Sequence, residues 1–415
     1  MAHTMIEKII GRNSNVGRDV SPGEIVTVDV DRVMIHDIFI PFVVEKFDEM
    51  GFQQIWDPDK TVLIYDHLVP ASQVDDTRHF RIGNEFAAKY GMKNVHRSDG
   101  ICHQLMTEAG YVRPGDIVFG TDSHTTTYGC VGAFSTGIGY TEMAGILGTG
   151  QLWIRVPDTI KITIDGELPS NVSSKDVILA IIGDLGADGA TYQALEFHGS
   201  TVHQMTIASR MTMSNMAVEA GAKCALFAPD EKTAEYCGIK LTEEQRDLIA
   251  DEDASYIREI TYQAEDFVPV MACPSQVDNI HPVSELVGKK IDQVFLGSCT
   301  YGRLEDLMAA AAILEGKKVA PFVNLIVTPA SRKIFEEAVA NGTIKTLVEA
   351  GAQVTHPGCG LCCGRTGGIL TDGECVVATN NRNFLGRMGT ANVEIYLASP
   401  KTAALCAVAG EIVSA

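Results

Sequence analysis

The sequence predicts an α/β protein whose parallel strands are buried between helices. Three apolar runs each end at a polar turn: TVLIYDH, IVFGTDSHT and IDQVFLGSCT. A continuous apolar strand followed by polar residues is typical of a buried parallel strand whose carboxyl end presents functional groups. The composition agrees, since 46% of the 415 residues are hydrophobic and 39 glycines supply turns. A chain of this length is expected to form two or three domains.

Two further segments before residue 170 predict regular elements. VDRVMIHDIFIPFVVEKFDEMG predicts a strand edge and a turn that lead into an amphipathic helix. In TIKITIDG, isoleucines alternate with polar residues after Pro157, which predicts the first strand of a second domain.

The second half of the chain predicts a surface segment and a crossover helix. The acidic stretch 230–259 predicts solvated helix and loop, with its charges on a surface face. In SRKIFEEAVANG, Ser331 is placed as a helix N-cap and Gly342 as the helix end. We expect this single helix to cross over to the strand that precedes Cys359.

Charge and hydropathy restrict the class of protein. The net charge of -20 argues against a nucleic-acid partner, because binding phosphates requires a basic face. No apolar run approaches the roughly 18 residues of a membrane span, and the start MAHTMIEKIIGRNSN lacks the apolar core of a signal peptide. Eleven scattered cysteines indicate free thiols in a reducing compartment. These features predict a cytoplasmic protein without a membrane partner.

Three cysteines near the C-terminal end carry the strongest chemical signal: Cys299 in LGSCTYGR, and Cys359 and Cys362 in HPGCGLCCG. Three thiolates would leave one corner of an iron–sulfur cube without a protein ligand, and such an iron can bind a hydroxy acid as a Lewis acid. His356 offers an alternative, a Cys3His zinc set, and plain buried cysteines are a third interpretation. Cys363 follows Cys362 directly and is expected to point elsewhere.

Five other strings add polar residues to the cysteine motifs. They are YDHLVP with Asp66 and His67, DGICHQ with His103, GTDSHTTTYG with Asp122, Ser123 and His124, SNMAVEAGA with Asn215 and Glu219, and NNRNFLGRMG with Asn381, Arg382 and Arg387. In this order, the strings resemble the aconitase superfamily from about residue 24 to the end. Within it they are most similar to the archaeal-type large subunits of isopropylmalate and homoaconitate dehydratases.

The resemblance implies a fold and a cofactor. It implies three aconitase-type α/β/α domains, 1–157, 158–285 and 286–415, around a 4Fe-4S cluster. Its ligands would be Cys299, Cys359 and Cys362, with one iron not ligated by protein. The fourth, swivelling domain of aconitases would be lacking, since the sequence ends at EIVSA soon after the arginine loop.

The histidines are interpreted as acid–base groups. A carboxylate at Asp66 raises the pKa of the adjacent His67 and fixes its tautomer, which suits a proton donor to a leaving hydroxyl. A strand-end hydrogen-bond pair is the alternative interpretation. The resemblance implies two further imidazole–carboxylate pairs, His103 with Asp122 and His124 with Glu219.

The arginines are interpreted as the substrate clamp. The guanidinium groups of Arg382 and Arg387 can bind carboxylates bidentately, whereas ordinary surface cations are the alternative. Asn381, Gly386 and Gly389 predict a tight polar loop around them, which favours binding.

Four more site residues are assigned by the resemblance. It implies that His36 and Ser123 contact the substrate. It places Asn215 and Asn381 beside the cluster, with Asn215 bonded to a cluster-side group or a bound water.

The implied reaction is reversible dehydration of a malate-type hydroxy acid, most simply 3-isopropylmalate isomerisation in leucine biosynthesis. In aconitases the base is a serine on the swivelling domain, so we expect a small subunit to supply it. Tyr301 stands where the family usually has Asn, which leaves homoaconitate, 2,3-dimethylmalate, maleate and citraconate as alternative substrates. An alternative of another class is a zinc or iron–sulfur binding or sensing protein.

Overall fold

The fold is built on three larger sheets that follow one another along the chain, with a separate two-stranded sheet beside the first, and a computed structural model describes residues 2–18 and 20–414. Each of the three larger sheets is formed by strands from one continuous stretch of the chain. The division into domains at 157 and 285 remains a prediction. Strands at 270–272 and 280–282, which precede the second predicted boundary, join the third sheet rather than the second.

The first part contains a five-stranded parallel sheet. Its elements are α1 (Met5–Arg12), β1 (Ile25–Asp29), β2 (Arg32–His36), α2 (Ile40–Glu49), β3 (Thr61–Tyr65), α3 (Val74–Tyr90), β4 (Asn94–Arg97), α4 (Cys102–Glu108), β5 (Ile117–Gly120), β6 (Phe134–Gly137), α5 (Tyr140–Thr149) and β7 (Gln151–Arg155). The sheet order is β4-β3-β2-β5-β6, and β1 pairs antiparallel with β7. The strands predicted at TVLIYDH and IVFGTDSHT are β3 and β5, both buried throughout. Their carboxyl ends meet at one edge of the sheet.

The second part contains a four-stranded parallel sheet. Its elements are β8 (Thr159–Asp165), α6 (Ser174–Leu185), β9 (Ala194–His198), α7 (Ser200–Gln204), α8 (Ile207–Met216), β10 (Cys224–Phe227), α9 (Glu231–Cys237), α10 (Glu243–Arg246) and β11 (Arg258–Gln263). The order is β10-β9-β8-β11. TIKITIDG is β8, as predicted, and 230–259 contains the short helices α9 and α10 with mostly exposed or half-buried residues.

The third part contains a seven-stranded sheet with a parallel core. Its elements are β12 (Val270–Ala272), β13 (Ile280–Pro282), β14 (Gln293–Leu296), α11 (Leu304–Leu314), β15 (Asn324–Val327), α12 (Arg332–Ala340), α13 (Thr343–Ala350), β16 (Gln353–Val354), β17 (Cys375–Ala378), β18 (Glu394–Leu397) and α14 (Pro400–Ala409). The order is β13-β12-β18-β17-β14-β15-β16. β14 lies between β15 and β17, both parallel to it, as IDQVFLGSCT predicts.

The crossover before Cys359 differs from the prediction. Ser331 caps α12, since its Oγ accepts from the amide of Ile334 at 3.2 Å. Gly342, however, does not end a single helix. It has a φ of +85° in the left-handed region and stands between α12 and α13, so it turns the chain into a second helix. The crossover therefore contains two helices.

Apolar packing joins the three parts. Met34 of β2 packs in the same core as Ile162 of β8 and Val294 of β14. The neighbouring Val33 and Ile35 point to the other face of the first sheet and belong to a second core, which also contains apolar residues of α1 and α2. Within residues 2–18 and 20–414, every helix is too short or too polar to cross a bilayer.

Candidate active site

The candidate site lies where the carboxyl ends of strands from the first and third sheets face each other. His36 ends β2, Asp66 and His67 follow β3, and a 3₁₀ helix at Ser123–Val131 follows β5. From the third sheet, Cys299 follows β14 and Asn381 follows β17. Parallel strands deliver their polar turns to one edge, which is why residues far apart in sequence meet here.

His67 is held between two carboxylates. Its Nδ1 lies 2.7 Å from Asp66 Oδ1, and its Nε2 lies 3.6 Å from Asp122 Oδ2. Asp66 is fixed in turn by the amide of Cys102, which donates to Oδ2 at 2.7 Å. Burial opposes the imidazolium, but the two carboxylates outweigh it, so the pKa of His67 lies well above its ordinary value.

Asp122 connects the other histidines. Its Oδ1 lies 2.9 Å from His103 Nε2 and accepts the amide of His124 at 2.8 Å, where Asp122 is the N-cap of the 3₁₀ helix. Glu219 Oε1 lies 2.8 Å from His124 Nε2. Burial lowers the pKa of His103. For His124, burial and Arg382 oppose protonation, but Asp122 and Glu219 prevail and its pKa is raised.

His36 and Asp37 complete this side of the site. The His36 ring stacks on that of His67 with centroids 4.4 Å apart, and its buried Nε2 has no hydrogen-bond partner. The carboxylate of Asp37 accepts the amides of His67 at 3.1 Å and Leu68 at 2.8 Å. Sequence reasoning missed this role of Asp37, although the residue follows a strand end, the signal that identified Asp66.

Ser123 is half-buried and opens the 3₁₀ helix beside these groups. The end of β6 packs directly on its backbone. A Cβ at Gly137 would lie 2.6 Å from Asp122 O and 2.8 Å from Ser123 Cα, so only glycine allows this approach. The packing fixes Ser123 and Asp122 together.

The three cysteines lie on two turns opposite the histidines. Cys299 is 5% exposed, Cys359 4% and Cys362 2%. Ser298 has a φ of +77°, an uncommon conformation for a non-glycine residue, and it turns the chain at the end of β14. Cys359 is tied to the histidine side because its amide donates to Asp66 O at 2.9 Å.

Polar hydrogens surround the sulfurs. Asn215 Nδ2 donates to Cys299 Sγ at 3.1 Å, and Asn381 Nδ2 does so at 3.3 Å. Ser298 Oγ donates to Asn381 Oδ1 at 2.7 Å and lies 3.4 Å from Cys362 Sγ. Such N–H and O–H groups stabilise thiolates, the form in which cysteine binds metal.

The residues present fit a thiolate-bound metal group better than a Cys3His zinc site. Cys299 Sγ lies within 4.8 Å of ring nitrogens of both His103 and His124, so this sulfur faces the histidines. His356 lies elsewhere, in a cavity lined by Ser98, Arg332 and Phe335. Among residues 2–18 and 20–414, no group of three clustered metal-binding side chains includes His356.

The expectation for Cys363 was wrong. Its thiol hydrogen bonds with that of Cys359, and its Sγ lies 3.9 Å from the carbonyl of His67. Residues 360–363 form a single 3₁₀ turn after Cys359, in which side chains three positions apart eclipse, so Cys359 and Cys362 share a face. Cys363 instead faces the carbonyl of His67 and belongs to the site through that contact.

The two arginines have different partners. Arg382 Nε donates to Glu219 Oε1 at 2.8 Å. Arg387 Nη2 lies 3.7 Å from Cys362 Sγ, and its Nε is buried without a partner. A hydrogen bond from Cys359, and then the Arg387 guanidinium, hold the pKa of Cys362 well below its ordinary value. Both arginines reach the site, and Arg387 has a buried donor without a partner.

Tyr301 points away from the sulfurs. Its ring is buried and its hydroxyl reaches the start of α6, 2.8 Å from Ser174 Oγ and 2.7 Å from the amide of Lys175. The larger residue therefore packs between the second and third parts of the chain. Sequence reasoning also missed Lys175, because nothing in the apolar period of SKDVILAIIG distinguishes a buried lysine from a surface one.

The profile of the aconitase family (aconitate hydratase) matches residues 7–290 and 284–410. The chain belongs to the aconitase family. It is accordingly an enzyme of the hydro-lyase class.

Relatives agree over nearly the whole length. The 3-isopropylmalate dehydratase large subunit 1 of Methanopyrus kandleri is 48% identical, with 99% of this chain and 98% of the relative covered. The protein of the same name from Thermotoga maritima is 49% identical, with 99% and 98% covered. The probable methanogen homoaconitase large subunit of Methanothermobacter thermautotrophicus is 44% identical, with 98% and 96% covered.

A solved structure agrees at the level of the fold. The holo-form of aconitase X from Thermococcus kodakaraensis aligns with a TM-score of 0.52 at 13% identity, covering 88% of this chain and 87% of the other. At this identity the likeness shows a shared fold and nothing of the chemistry.

Proposed function

We propose that this chain is the catalytic large subunit of a hydro-lyase that reversibly dehydrates 3-isopropylmalate. The names of the Methanopyrus and Thermotoga relatives support this substrate. The observation that carries the proposal is the position of His67, a buried imidazole held protonated by two carboxylates at the edge of a group of cysteines.

We infer that Cys299, Cys359 and Cys362 hold a 4Fe-4S cluster in which one iron has no protein ligand. Their burial and the N–H donors aimed at Cys299 support this assignment. When bound, the cluster would supply a Lewis-acidic iron for the substrate hydroxyl and one carboxylate. Asn215 and Asn381 would orient Cys299 through their amide groups.

The histidine side of the site would move the proton. Asp66 holds Nδ1–H of His67, which leaves the Nε2 proton directed to the cleft beside Asp122. We assign His67 as the general acid that protonates the departing hydroxyl, which leaves as water. His103 and His124, paired with Asp122 and Glu219, keep the carboxylates of the site oriented.

Substrate binding is assigned to four side chains. Arg387, with a buried Nε that has no partner, would grip a carboxylate, and Arg382 would assist from its pair with Glu219. The unpartnered Nε2 of His36 and the half-buried Ser123 are available for substrate oxygens.

The base that removes the carbon-bound proton is assigned to a partner. The relatives are named large subunits, and we infer a small subunit that carries the swivelling domain and its serine base. We also infer that the assembled enzyme is cytoplasmic, as the free cysteines favour a reducing compartment.

The test combines the chain with the small subunit from the same genome after anaerobic loading with iron and sulfide. Formation of the unsaturated acid from 3-isopropylmalate, followed by its ultraviolet absorbance, should require both chains, and His67→Asn is the matched inactive control. Full turnover by the loaded large chain alone would contradict the assignment of the base to a partner.

A homoaconitase is the second candidate, favoured by the Methanothermobacter relative. The same assay with homoaconitate and with 3-isopropylmalate decides between them. The ratio of kcat/KM for the two acids should favour 3-isopropylmalate, and the opposite ratio would establish the second candidate.

A further inference from the structure

Lys175 is a fully buried lysine near the site with no role in the proposed mechanism. It lies in the first turn of α6 and is 0% exposed. Its Nζ donates to the carbonyls of Asn380 at 2.7 Å and Thr379 at 3.1 Å, the two residues before Asn381. Met216 Sδ lies 3.7 Å away.

The ammonium group has no carboxylate partner within ion-pair distance among residues 2–18 and 20–414. Both burial and location disfavour the charge, because a helix N-terminus carries a positive partial charge of its own. Burial lowers the pKa of Lys175 to about 7, and the largest opposing contributions come from Cys299 and Cys362, ahead of Glu219 and Asp176. The geometry also places the ammonium near Cys299, because the carbonyls that it binds precede Asn381, and Asn381 donates to Cys299 Sγ at 3.3 Å.

Several contacts fix the position of Lys175. The Tyr301 hydroxyl accepts the amide of Lys175 at 2.7 Å, and Ser173 caps α6 by accepting the same amide at 3.2 Å. The Tyr301 ring also packs with its centroid 5.7 Å from Nζ. Helix start, aromatic ring and two carbonyls all fix one ammonium behind the cysteine turns.

We propose that Lys175 supplies the buried positive charge that balances the thiolate-bound cluster, and so sets how tightly the cluster is retained and how easily it is reduced. The inference rests on the cluster assigned above. A group that brings several negative sulfurs into a dry interior needs a compensating charge, and a cation that does not ligate iron can supply it without competing for the metal. Lys175 would act on the cluster through space, while its tether to 379–380 places Asn381.

Two variants separate the charge of Lys175 from its hydrogen bonds to the carbonyls of Thr379 and Asn380. Lys175→Gln removes the charge but keeps an N–H donor for the carbonyls, whereas Lys175→Met removes both. Lys8→Met is the matched control, since Lys8 is also buried and donates to a backbone carbonyl, Ile249 O at 2.7 Å, but is paired with Asp251 far from the cysteines.

The anaerobically loaded chains are compared by three measurements: the rate of iron release to a chelator, the midpoint potential in a dithionite titration, and the unfolding temperature of the cluster-free protein. For both Lys175 variants we expect iron release to be faster by about 10- to 100-fold, as for the loss of one nearby charge in a medium of intermediate dielectric. The one-electron reduction should move to a more negative potential, because a positive charge no longer favours the added electron. Cluster-free Lys175→Gln should unfold no earlier than wild type, since a buried unpaired charge is removed.

The outcomes distinguish a failure of the proposed charge role of Lys175 from a failure of the cluster assignment. Lys8→Met should lower the unfolding temperature and leave iron release and potential unchanged. Wild-type iron release and potential in Lys175→Gln would overturn the role of the charge and leave Lys175 a tether. If Lys175→Gln both lowered the unfolding temperature of the cluster-free protein and accelerated iron release, the role of the charge would be overturned as well, because a general loss of stability would explain both. If the wild-type chain took up no iron and sulfide, the cluster assignment itself would fail, and this inference with it.

Discussion

The site has two halves that are held together by different forces. The imidazole half consists of His67, His103 and His124 with their carboxylates, joined by contacts of 2.7 to 2.9 Å between ring nitrogens and carboxylate oxygens. The sulfur half consists of the three cysteines, surrounded by neutral amide and hydroxyl donors at 3.1 to 3.4 Å. The first half balances its own charges, and the second relies on dipoles, on Arg387 and on a buried lysine.

This difference teaches which conditions each half responds to. Charge pairs titrate, so the imidazole half is expected to respond to pH. Thiolates are stable in a dry interior when metal is bound to them, so the sulfur half is expected to respond to iron and to oxidation. Variants in the two halves should therefore fail in different measurements.

The largest effect is expected in the sulfur half. Serine at Cys299, Cys359 or Cys362 should abolish cluster assembly, because each removes one of three ligands. Iron and sulfide content and the visible spectrum of the anaerobically loaded chain measure this. Cys363→Ser is the control and should assemble the cluster, although its thiol lies beside Cys359. Equal iron loss in that control would mean that the ligand set is misassigned.

In the imidazole half, His67→Asn should lower turnover by about two to four orders of magnitude with normal iron content, as expected for loss of a general acid. Single-turnover and steady-state rates with the partner present measure it. Unchanged turnover would remove His67 from the chemistry and direct attention to His103 or His124.

The carboxylate beside His67 gives this half a pH signature. The acid form of His67 is populated below its pKa, which Asp66 and Asp122 raise against burial. Asp66→Asn should lower that pKa, so turnover should be lost at a lower pH than in wild type. A pH profile of kcat measures the shift. If the alkaline limb of the kcat profile fell at the same pH in Asp66→Asn as in wild type, a group other than His67 would set that limb.

Arg387 lies beside Cys362 in the sulfur half and tests substrate binding. Arg387→Lys keeps the charge but loses the planar two-bond grip, which should weaken productive binding by about 1.5 to 3 kcal/mol. KM and kcat/KM report the change, with iron content unaffected.

Arg365→Lys, at an exposed position in the preceding loop, is the control. Wild-type kinetics in Arg387→Lys would return the carboxylate clamp to Arg382. Arg303, the other arginine near Cys299, is already committed to the carbonyls of Cys299 and Thr300, each at 2.5 Å.

The smallest effect is expected at Tyr301, outside both halves. Tyr301→Phe keeps the ring and loses the hydroxyl that accepts the Lys175 amide, which should cost about 1 kcal/mol of unfolding free energy. Urea unfolding of the cluster-free chain measures it, and KM should not change. A changed substrate preference would show that this residue acts on specificity after all.

Local patterns in the sequence were sufficient for the elements and for the side chains at their ends. The apolar runs identified β3, β5 and β14, and each is a buried parallel strand. Asp66 and His67 are adjacent in sequence and hydrogen bonded in the fold. Such features are local, because a strand end exposes whatever residues follow it.

Short-range geometry was harder to predict where the turn type mattered. Cys363 was expected to point elsewhere because it follows Cys362, but the short turn at 360–363 leaves its Sγ 3.9 Å from the carbonyl of His67. Gly342 was expected to stop one helix and instead connects two. In both cases the backbone angles of one or two residues decided the outcome, and composition does not specify them.

By itself, the sequence determined the fold class, the ends of the strands that carry polar residues, and the motifs that the aconitase family shares. Only the tertiary structure decided that Asp122 serves several histidines, that Arg382 pairs with Glu219, and that Lys175 lies beneath the loop before Asn381. Contacts across 163 or 205 positions form because helices of the second part pack against the loop that follows β17 in the third. A linear pattern records which face of an element a residue occupies, but the charge that it meets there depends on how the sheets pack.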